Sequence, residues 1–230
     1  MSNWSLELGE YSKKHSIPFS SIEDFGTCVV DLREDTSTLC KNIHKKHRNV
    51  IRKAIKKEYR VLEDKSNEST GNFFNLLNET YKRSNKFGYS EQYLRTLLAS
   101  EYCRLFTCYS NENEPVASAL IAGNRKQAYY LHGASIPNPD GASNYLHWEI
   151  MKQLKGEGYV KYDFGGVSYN PPEGSKAYGI KTFKERFGGE FVHVYRGQIN
   201  INRRKTALMK RLRDIYNSSY QLKNIFRIGN

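Results

Sequence analysis

The chain has 230 residues, with 36 Lys and Arg against 24 Asp and Glu, a formal net charge of +12. Hydrophobic residues make up 38% and aromatics 13%, enough for a packed core and incompatible with wholesale disorder. No run of about 18 apolar residues exists, which excludes a membrane-spanning helix, and the opening MSNWSLELGE carries no basic region followed by an apolar stretch, so no secretory leader is expected. Cys28, Cys40, Cys103 and Cys108 form no CxxC pair and read as reduced thiols of a cytoplasmic protein.

The charge is concentrated. Residues 41–60 carry nine Lys and Arg against Glu58, and residues 203–227 carry eight against Asp214, so the remainder of the chain is net −3. A mildly acidic body with two basic segments points to a polyanionic partner: RNA, nucleotide phosphates or an anionic membrane surface. Solvated helix faces that bind nothing would give the same count.

In chain order, residues 1–27 are weakly patterned and read as an irregular lead-in. The β-branched Thr27–Leu32 reads as a short strand. Asp35, Thr36 or Ser37 then caps a helix over about 36–58, with Leu39, Ile43, Val50, Ile51, Ala54 and Ile55 at three- and four-residue spacing and His47 on the same stripe. A strand over 59–63 and helices over about 70–85 and from Ser90 follow. Cys103–Tyr109, the apolar Val116–Ala122 and Gln127–Ala134 read as an antiparallel meander with short turns. A loop over 137–143 leads to a helix capped by Ser143 or Asn144 and ended by Gly156 and Gly158. The strand 159–164 should stop at Gly165-Gly166, a short helix spans 179–187, and a strand covers 190–201. A final helix over about 203–226 has Leu208, Leu212, Ile215, Ser219, Leu222 and Phe226 as its inner face. A meander followed by a crossover gives a mixed sheet flanked by helices, and such sheets hold ligands where the strand pairing changes.

Five blocks carry a family resemblance: Lys46-His47-Arg48 with Ile51-Arg52-Lys53-Ala54; Ala128-Tyr-Tyr-Leu-His-Gly-Ala-Ser135; Asn144-Tyr-Leu-His-Trp-Glu149; Tyr162-Asp-Phe-Gly-Gly166; and Phe183-Lys184 with Phe187-Gly188-Gly189. In order and spacing they resemble the Fem-type peptidoglycan aminoacyltransferases of the GNAT-like acyltransferase superfamily, over about residues 28–195. The resemblance implies an α/β (α+β) fold with a GNAT-like, mixed and largely antiparallel sheet over 28–201; the residues that follow read, by their own pattern, as a basic amphipathic helix over 202–230. It implies transfer of an activated acyl or aminoacyl group to an amine in cell-wall or surface-polysaccharide assembly. It also implies contact of Lys184 with the donor or the developing oxyanion. Fem-type members usually hold two such domains, with the muropeptide precursor near their junction; a homodimer or another chain would have to supply the second.

The residues themselves carry part of this chemistry. Acyl transfer needs a neutral amine, a donor or cation for the oxyanion, and a stabilised leaving group. Lys184 is the candidate cation, on a short helix anchored by Phe183 and Phe187; a surface lysine is the competing reading. Asp163, at a strand end, either accepts a proton from the attacking ammonium or takes hydrogen bonds from the following turn. Gly165 and Gly166 permit close backbone approach and could offer N–H groups to an anion. Pro137–Asn144 is poor in glycine for a CoA loop, and its Asp140 would repel a pyrophosphate, which favours aminoacyl-tRNA over acyl-CoA as co-substrate; no permanently bound cofactor is expected. Lys46, Arg48, Arg52 and Lys56 are the expected phosphate contacts, and Asn144, Tyr178 and Phe183 complete the expected donor site. Tyr89, Tyr169 and Tyr178 could stack on a base, although with 17 tyrosines none is distinctive. His44 and His47, three apart on a helix, have no carboxylate or thiol at ligand spacing, so no metal is expected. His132 reads as a core histidine. Two other readings stand beside the tRNA-dependent enzyme: an acyl-CoA- or carrier-dependent N-acyltransferase of amino sugars, and a non-catalytic RNA- or membrane-surface-binding module. The expected location is the cytoplasm, with the C-terminal helix as a peripheral contact to the inner membrane face.

Overall fold

Hydrogen-bonding side chains placed just ahead of apolar stripes start most of the helices. In the computed structural model, which describes residues 21–84, 88–124, 126–137, 139–200, 202, 204–212 and 214–215, Asp35 accepts from the amides of Ser37 and Thr38 and starts helix α1 (Thr36–Asn42). His44 Nδ1 accepts from Lys46 N and starts α2 (Lys45–Lys56). Ser66, Ser90 and Ser175 do the same for α3 (Asn67–Lys82), α4 (Glu91–Leu98) and α6 (Lys176–Glu185). Each such cap is worth about 1 kcal/mol. Helix α5 (Ala142–Gly156) differs from the expectation at Ser143 or Asn144: its cap is Gly141, at φ 88°, with no side-chain bond. A Cβ there would sit 2.8 Å from the Val50 carbonyl, so packing against α2 and the left-handed backbone both select glycine.

The expected single helix over 36–58 is two helices. Ile43 turns extended, at ψ 130°, and is fully buried, and the His44 amide donates to the Arg186 carbonyl at 2.8 Å. The Arg48 guanidinium takes the carbonyls of Lys41 and Ile43 that the break leaves free. Tertiary bonds thus outcompete a periodicity that continues across the break.

The strands are β1 (Ser21–Asp31), β2 (Arg60–Glu63), β3 (Cys103–Tyr109), β4 (Pro115–Gly123), β5 (Gln127–Ser135), β6 (Lys161–Ser168) and β7 (Glu190–Gln198). They form one sheet in the order β2-β3-β4-β5-β6-β1-β7. The β2–β3, β3–β4, β4–β5 and β1–β6 pairs are antiparallel, and β5–β6 is parallel, joined by the α5 crossover. The meander and the crossover are as expected. The lead-in is not irregular throughout, since β1 begins at Ser21. Nor do Gly165 and Gly166 stop β6, because pairing with β1 (Thr27 opposite Gly166, Phe25 opposite Ser168) carries the strand through them.

One feature of this sheet positions the site. Parallel pairing of β5 with β6 covers Gln127, Ala128 and Tyr129 and ends at Asp163, although both strands continue. A register shift against β4 near Leu131 bends β5, while β1 holds β6 on its other side. The two strands therefore splay.

Two apolar cores flank the sheet. One gathers Phe106, Ile121, Leu146, Ile150, Tyr162, Phe164 and Phe187, and the other Phe73, Leu77, Leu94, Leu105 and Leu120. Cys108 lies in the first and Cys103 in the second, the opposite faces that their odd separation requires. The chain divides into two compact units: Phe25–His193 is one, and the described residues before and after it belong to the other. In the second unit, Arg196 pairs with Glu23 and residues 204–212 are helical. Leu208, Leu212 and Ile215, expected on an inner face, are more than half exposed, while Ser219, Leu222 and Phe226 fall outside the described residues, as does 1–20 of the lead-in.

Candidate active site

The site is built where β5 and β6 part. Gly165, at φ 75°, sits so close to Tyr130 that a Cβ would lie 2.9 Å from its carbonyl oxygen, and a Cβ on Gly166 would enter the Phe25 ring. The two glycines shape the strand; their carbonyls, not their amides, face the catalytic candidate. Lys184, on α6 and only 9% exposed, donates from Nζ to Gly165 O at 3.2 Å and to Gly166 O at 3.0 Å. An ammonium has three N–H donors, and among the described residues no acceptor takes the third. The surface-lysine reading fails on burial. Desolvation pulls the Lys184 pKa down to about 8, against the opposing pull of Asp163 and Cys28.

Asp163 is committed to the turn. Its Oδ1 accepts from Gly165 N at 2.7 Å and from the Thr27 hydroxyl. The hydrogen bond to the following turn, one of the two sequence readings, is present at this oxygen. The Lys184 helix is held by an aromatic box: Phe183 and Phe187 lie 5.3 Å apart, the His47 ring is 5.2 and 4.8 Å from them, and Phe187 stacks on Phe164 at 4.7 Å. His47 Nε2 also bonds the Phe183 carbonyl at 3.1 Å, and burial lowers its pKa to about 4, so it stays a neutral spacer between α2 and α6.

Beside this box lies a cavity of about 180 Å³, reaching from Thr80 on α3 past Tyr130, Gly133, Ala134 and Ser135 of β5 to Ser143, Leu146 and His147 of α5 and Phe183 of α6. Sequence reasoning missed two of its walls. His147 lies on the apolar face of α5 and is 2% exposed, with Nδ1 2.9 Å from the Tyr162 hydroxyl. Tyr130 stands edge-on to His147 at 4.6 Å, with its ring 5.8 Å from Lys184 Nζ. The one legible signal was a histidine among Leu146, Ile150, Met151 and Leu154, where a core position would carry an apolar residue.

The expected donor-binding residues separate into groups. Phe183, Gly165 and Gly166 surround Lys184. Lys46, Arg52 and Lys56 are exposed on α2, and Arg52 reaches Asn49 at 3.2 Å. Arg48 is not free for phosphate in the same way, because its guanidinium caps α1. Asn144 is half-buried in the first turn of α5, and Tyr178 is 39% exposed on α6. Asp140 is paired with Lys57 across the α2–α5 contact, so the repulsion expected of it is locally offset. Tyr89 stacks on Tyr93 at 4.7 Å and touches His132, while Tyr169 stacks on His193 at 4.3 Å. His132 is half-buried, with Nδ1 3.4 Å from the Tyr81 hydroxyl. Among the described residues, no group of three His, Cys, Asp or Glu side chains is placed to hold a metal.

Comparison with known proteins places this architecture. The family described as acetyltransferase (GNAT) domain matches residues 42–185, from the end of α1 to the end of α6. The chain belongs to the GNAT domain family. Within this GNAT chain, a stretch of 93 residues is 33% identical to the lipid II:glycine glycyltransferase of Staphylococcus saprophyticus, covering 34% of the chain and 21% of that protein. The namesake of Staphylococcus epidermidis is 35% identical over 92 residues, with 34% and 20% covered. The GNAT chain thus matches about a fifth of the length of these curated relatives. In fold it is similar to FemX, at a TM-score of 0.70 and 16% identity over 84% of this chain and 68% of that one. It is also similar to L-PGS from Bacillus licheniformis, at 0.60 and 16% over 89% and 68%. No helix among the described residues is long and apolar enough to cross a membrane.

Proposed function

We propose that this GNAT domain is a Fem-like N-acyltransferase. It moves an activated acyl group, in the first instance an aminoacyl group from aminoacyl-tRNA, to an amine of a cell-wall or surface-polysaccharide precursor. The observation that carries the reading is Lys184: a buried ammonium, held on two carbonyls at the splay with one N–H left over, beside a cavity. Such a group meets charge developing on the donor as the amine attacks, in a water-poor site where a fixed cation acts strongly. Acceptance of a glycyl group by a lipid-linked precursor is named for the staphylococcal relatives, and it supports the precursor class proposed here. A precursor of that kind places the enzyme in the cytoplasm against the membrane's inner face, where the basic segment 203–227 would meet anionic lipid, and a second copy or a partner chain would complete the acceptor site.

The exposed cations of α2, Lys46, Arg52 and Lys56, are the proposed tRNA contacts. The variant Arg52→Glu/Lys56→Glu weakens tRNA binding and lowers the slope of log affinity against log salt by about one unit per lost phosphate contact. Titration at several salt concentrations reads this directly, and an unchanged slope assigns the tRNA elsewhere. An acyl-CoA donor is the second reading, favoured by one observation: the Lys57–Asp140 pair offsets the repulsion that the loop before α5 would otherwise exert on a pyrophosphate. A donor screen of charged tRNA against acyl-CoA, with product masses read on a panel of amines, decides between them. Absence of transfer from every donor would leave the non-catalytic binding module.

A further inference from the structure

The residues lining the cavity carry two polar atoms that no other described residue uses. Among the described residues, His147 bonds through Nδ1, to Tyr162, and its Nε2 has no partner. The Tyr130 hydroxyl likewise has none, and a Cβ on Gly133 would overlap it, so that glycine is required by the hydroxyl's position. Among the described residues no buried side-chain nitrogen or oxygen lacks a partner. Both atoms are therefore open to the cavity that their residues line.

The tautomer follows from Tyr162. That residue is fully buried, and among the described residues its hydroxyl has no partner except His147 Nδ1. Were Nδ1 protonated, the hydroxyl proton of Tyr162 would be buried without an acceptor. Tyr162 must donate, Nδ1 must accept, and the ring proton sits on Nε2, toward the cavity. Burial, reinforced by the nearby Lys184 charge, pulls the His147 pKa to about 3, and burial pushes the Tyr130 hydroxyl well above the ordinary phenol range. Both groups stay neutral and keep their protons at any working pH. A neutral imidazole that donates is better suited to polarising a carbonyl than to removing a proton.

The geometry points to Tyr130 O–H and His147 Nε2–H as a pair of neutral donors for the carbonyl oxygen of the acyl group, with Lys184 serving the leaving oxygen or sulfur. This rests on the acyltransferase reading and deepens it. The amine nitrogen forms its bond to the carbonyl carbon as the C=O π pair moves onto oxygen, where the two donors hold it. On collapse the C=O bond re-forms and the bond to the leaving atom breaks. That atom takes the proton that the nitrogen, having attacked as the neutral amine, sheds once its bond to carbon has formed, so no further reactant is needed.

The decisive variant is Tyr130→Phe, which deletes a hydroxyl with no partner among the described residues. Expected are a fall of about 10²-fold in kcat, little change in donor KM, and an unchanged melting temperature. The double variant His147→Leu/Tyr162→Phe removes both ends of the buried hydrogen bond, leaves no orphaned group, and should lose kcat similarly. Unchanged kcat in folded Tyr130→Phe, or a change confined to KM or to stability, overturns the assignment while wild-type transfer leaves the acyltransferase reading standing. No transfer by the wild type from charged tRNA or acyl-CoA overturns both.

Discussion

Lys184→Met removes acyl transfer, by 10³-fold or more in kcat, without unfolding the protein. One fixed donor to a developing charge is worth about 10²–10³ in rate, and a buried cation exceeds a neutral donor. Turnover within a few-fold of wild type in that variant would end the catalytic assignment. The pH profile supplies a second reading. Lys184 is cationic below its pKa of about 8, so the rate falls as pH rises through that value. Lys184→Arg retains a charge that does not titrate, and any residual activity should lack this alkaline limb.

The same lysine makes a stability prediction of opposite sense. In the unfolded chain it titrates near 10.5, and in the fold near 8. Below pH 8 both states carry the proton, and the cost of the buried cation is fully present. Between 8 and 10.5 the unfolded state binds more protons than the native one, so stability rises with pH, by at most about 3 kcal/mol. Urea midpoints from pH 7 to 11 should show this rise as a difference between wild type and Lys184→Met. A constant difference between the two across the range would mean that burial does not perturb this ammonium.

The second large effect is expected at Gly165. A Cβ there combines a φ of 75° with a 2.9 Å approach to the Tyr130 carbonyl, both of which resist L side chains. Gly165→Ala should destabilise the domain by about 2–3 kcal/mol. Because the Gly165 carbonyl is one of the two acceptors that fix Nζ of Lys184, transfer should fall together with stability. Chemical denaturation and initial rates on the same preparation test the coupling. A destabilised variant with a full rate would show that the carbonyl does not position the lysine.

Much of the fold was legible because local rules and tertiary outcome agree. The Cys103–Tyr109 strand, the short turns of the meander, the Ser90 cap and the crossover through α5 follow from alternation, turn residues and periodicity. Sequence reasoning failed where a distant group outcompeted a local pattern. The stripe of 36–58 continues through Ile43, yet burial of Ile43 and the Arg186 carbonyl break the helix there. Gly165-Gly166 reads as a stop, yet the ladder with β1 carries the strand on.

The site divides in the same way. By itself the sequence determined the residue types and their order: a basic helix ahead of a meander, a lysine between two phenylalanines, a glycine pair after an aspartate. It also determined that the charge is two segments on a net −3 body. Only the tertiary structure decided what those residues do. The splay of β5 from β6 brings the carbonyls of Gly165 and Gly166 to a lysine nearly twenty residues away and buries it, which lowers the pKa of its ammonium. Folding also turned Asp163 and Arg48 inward, to an amide and to helix carbonyls, and brought His147 and Tyr130 to one cavity. The physical reason is common to all of them. Burial and partnership set the protonation and donor capacity of a polar group, and both are properties of the packed chain, not of its local sequence.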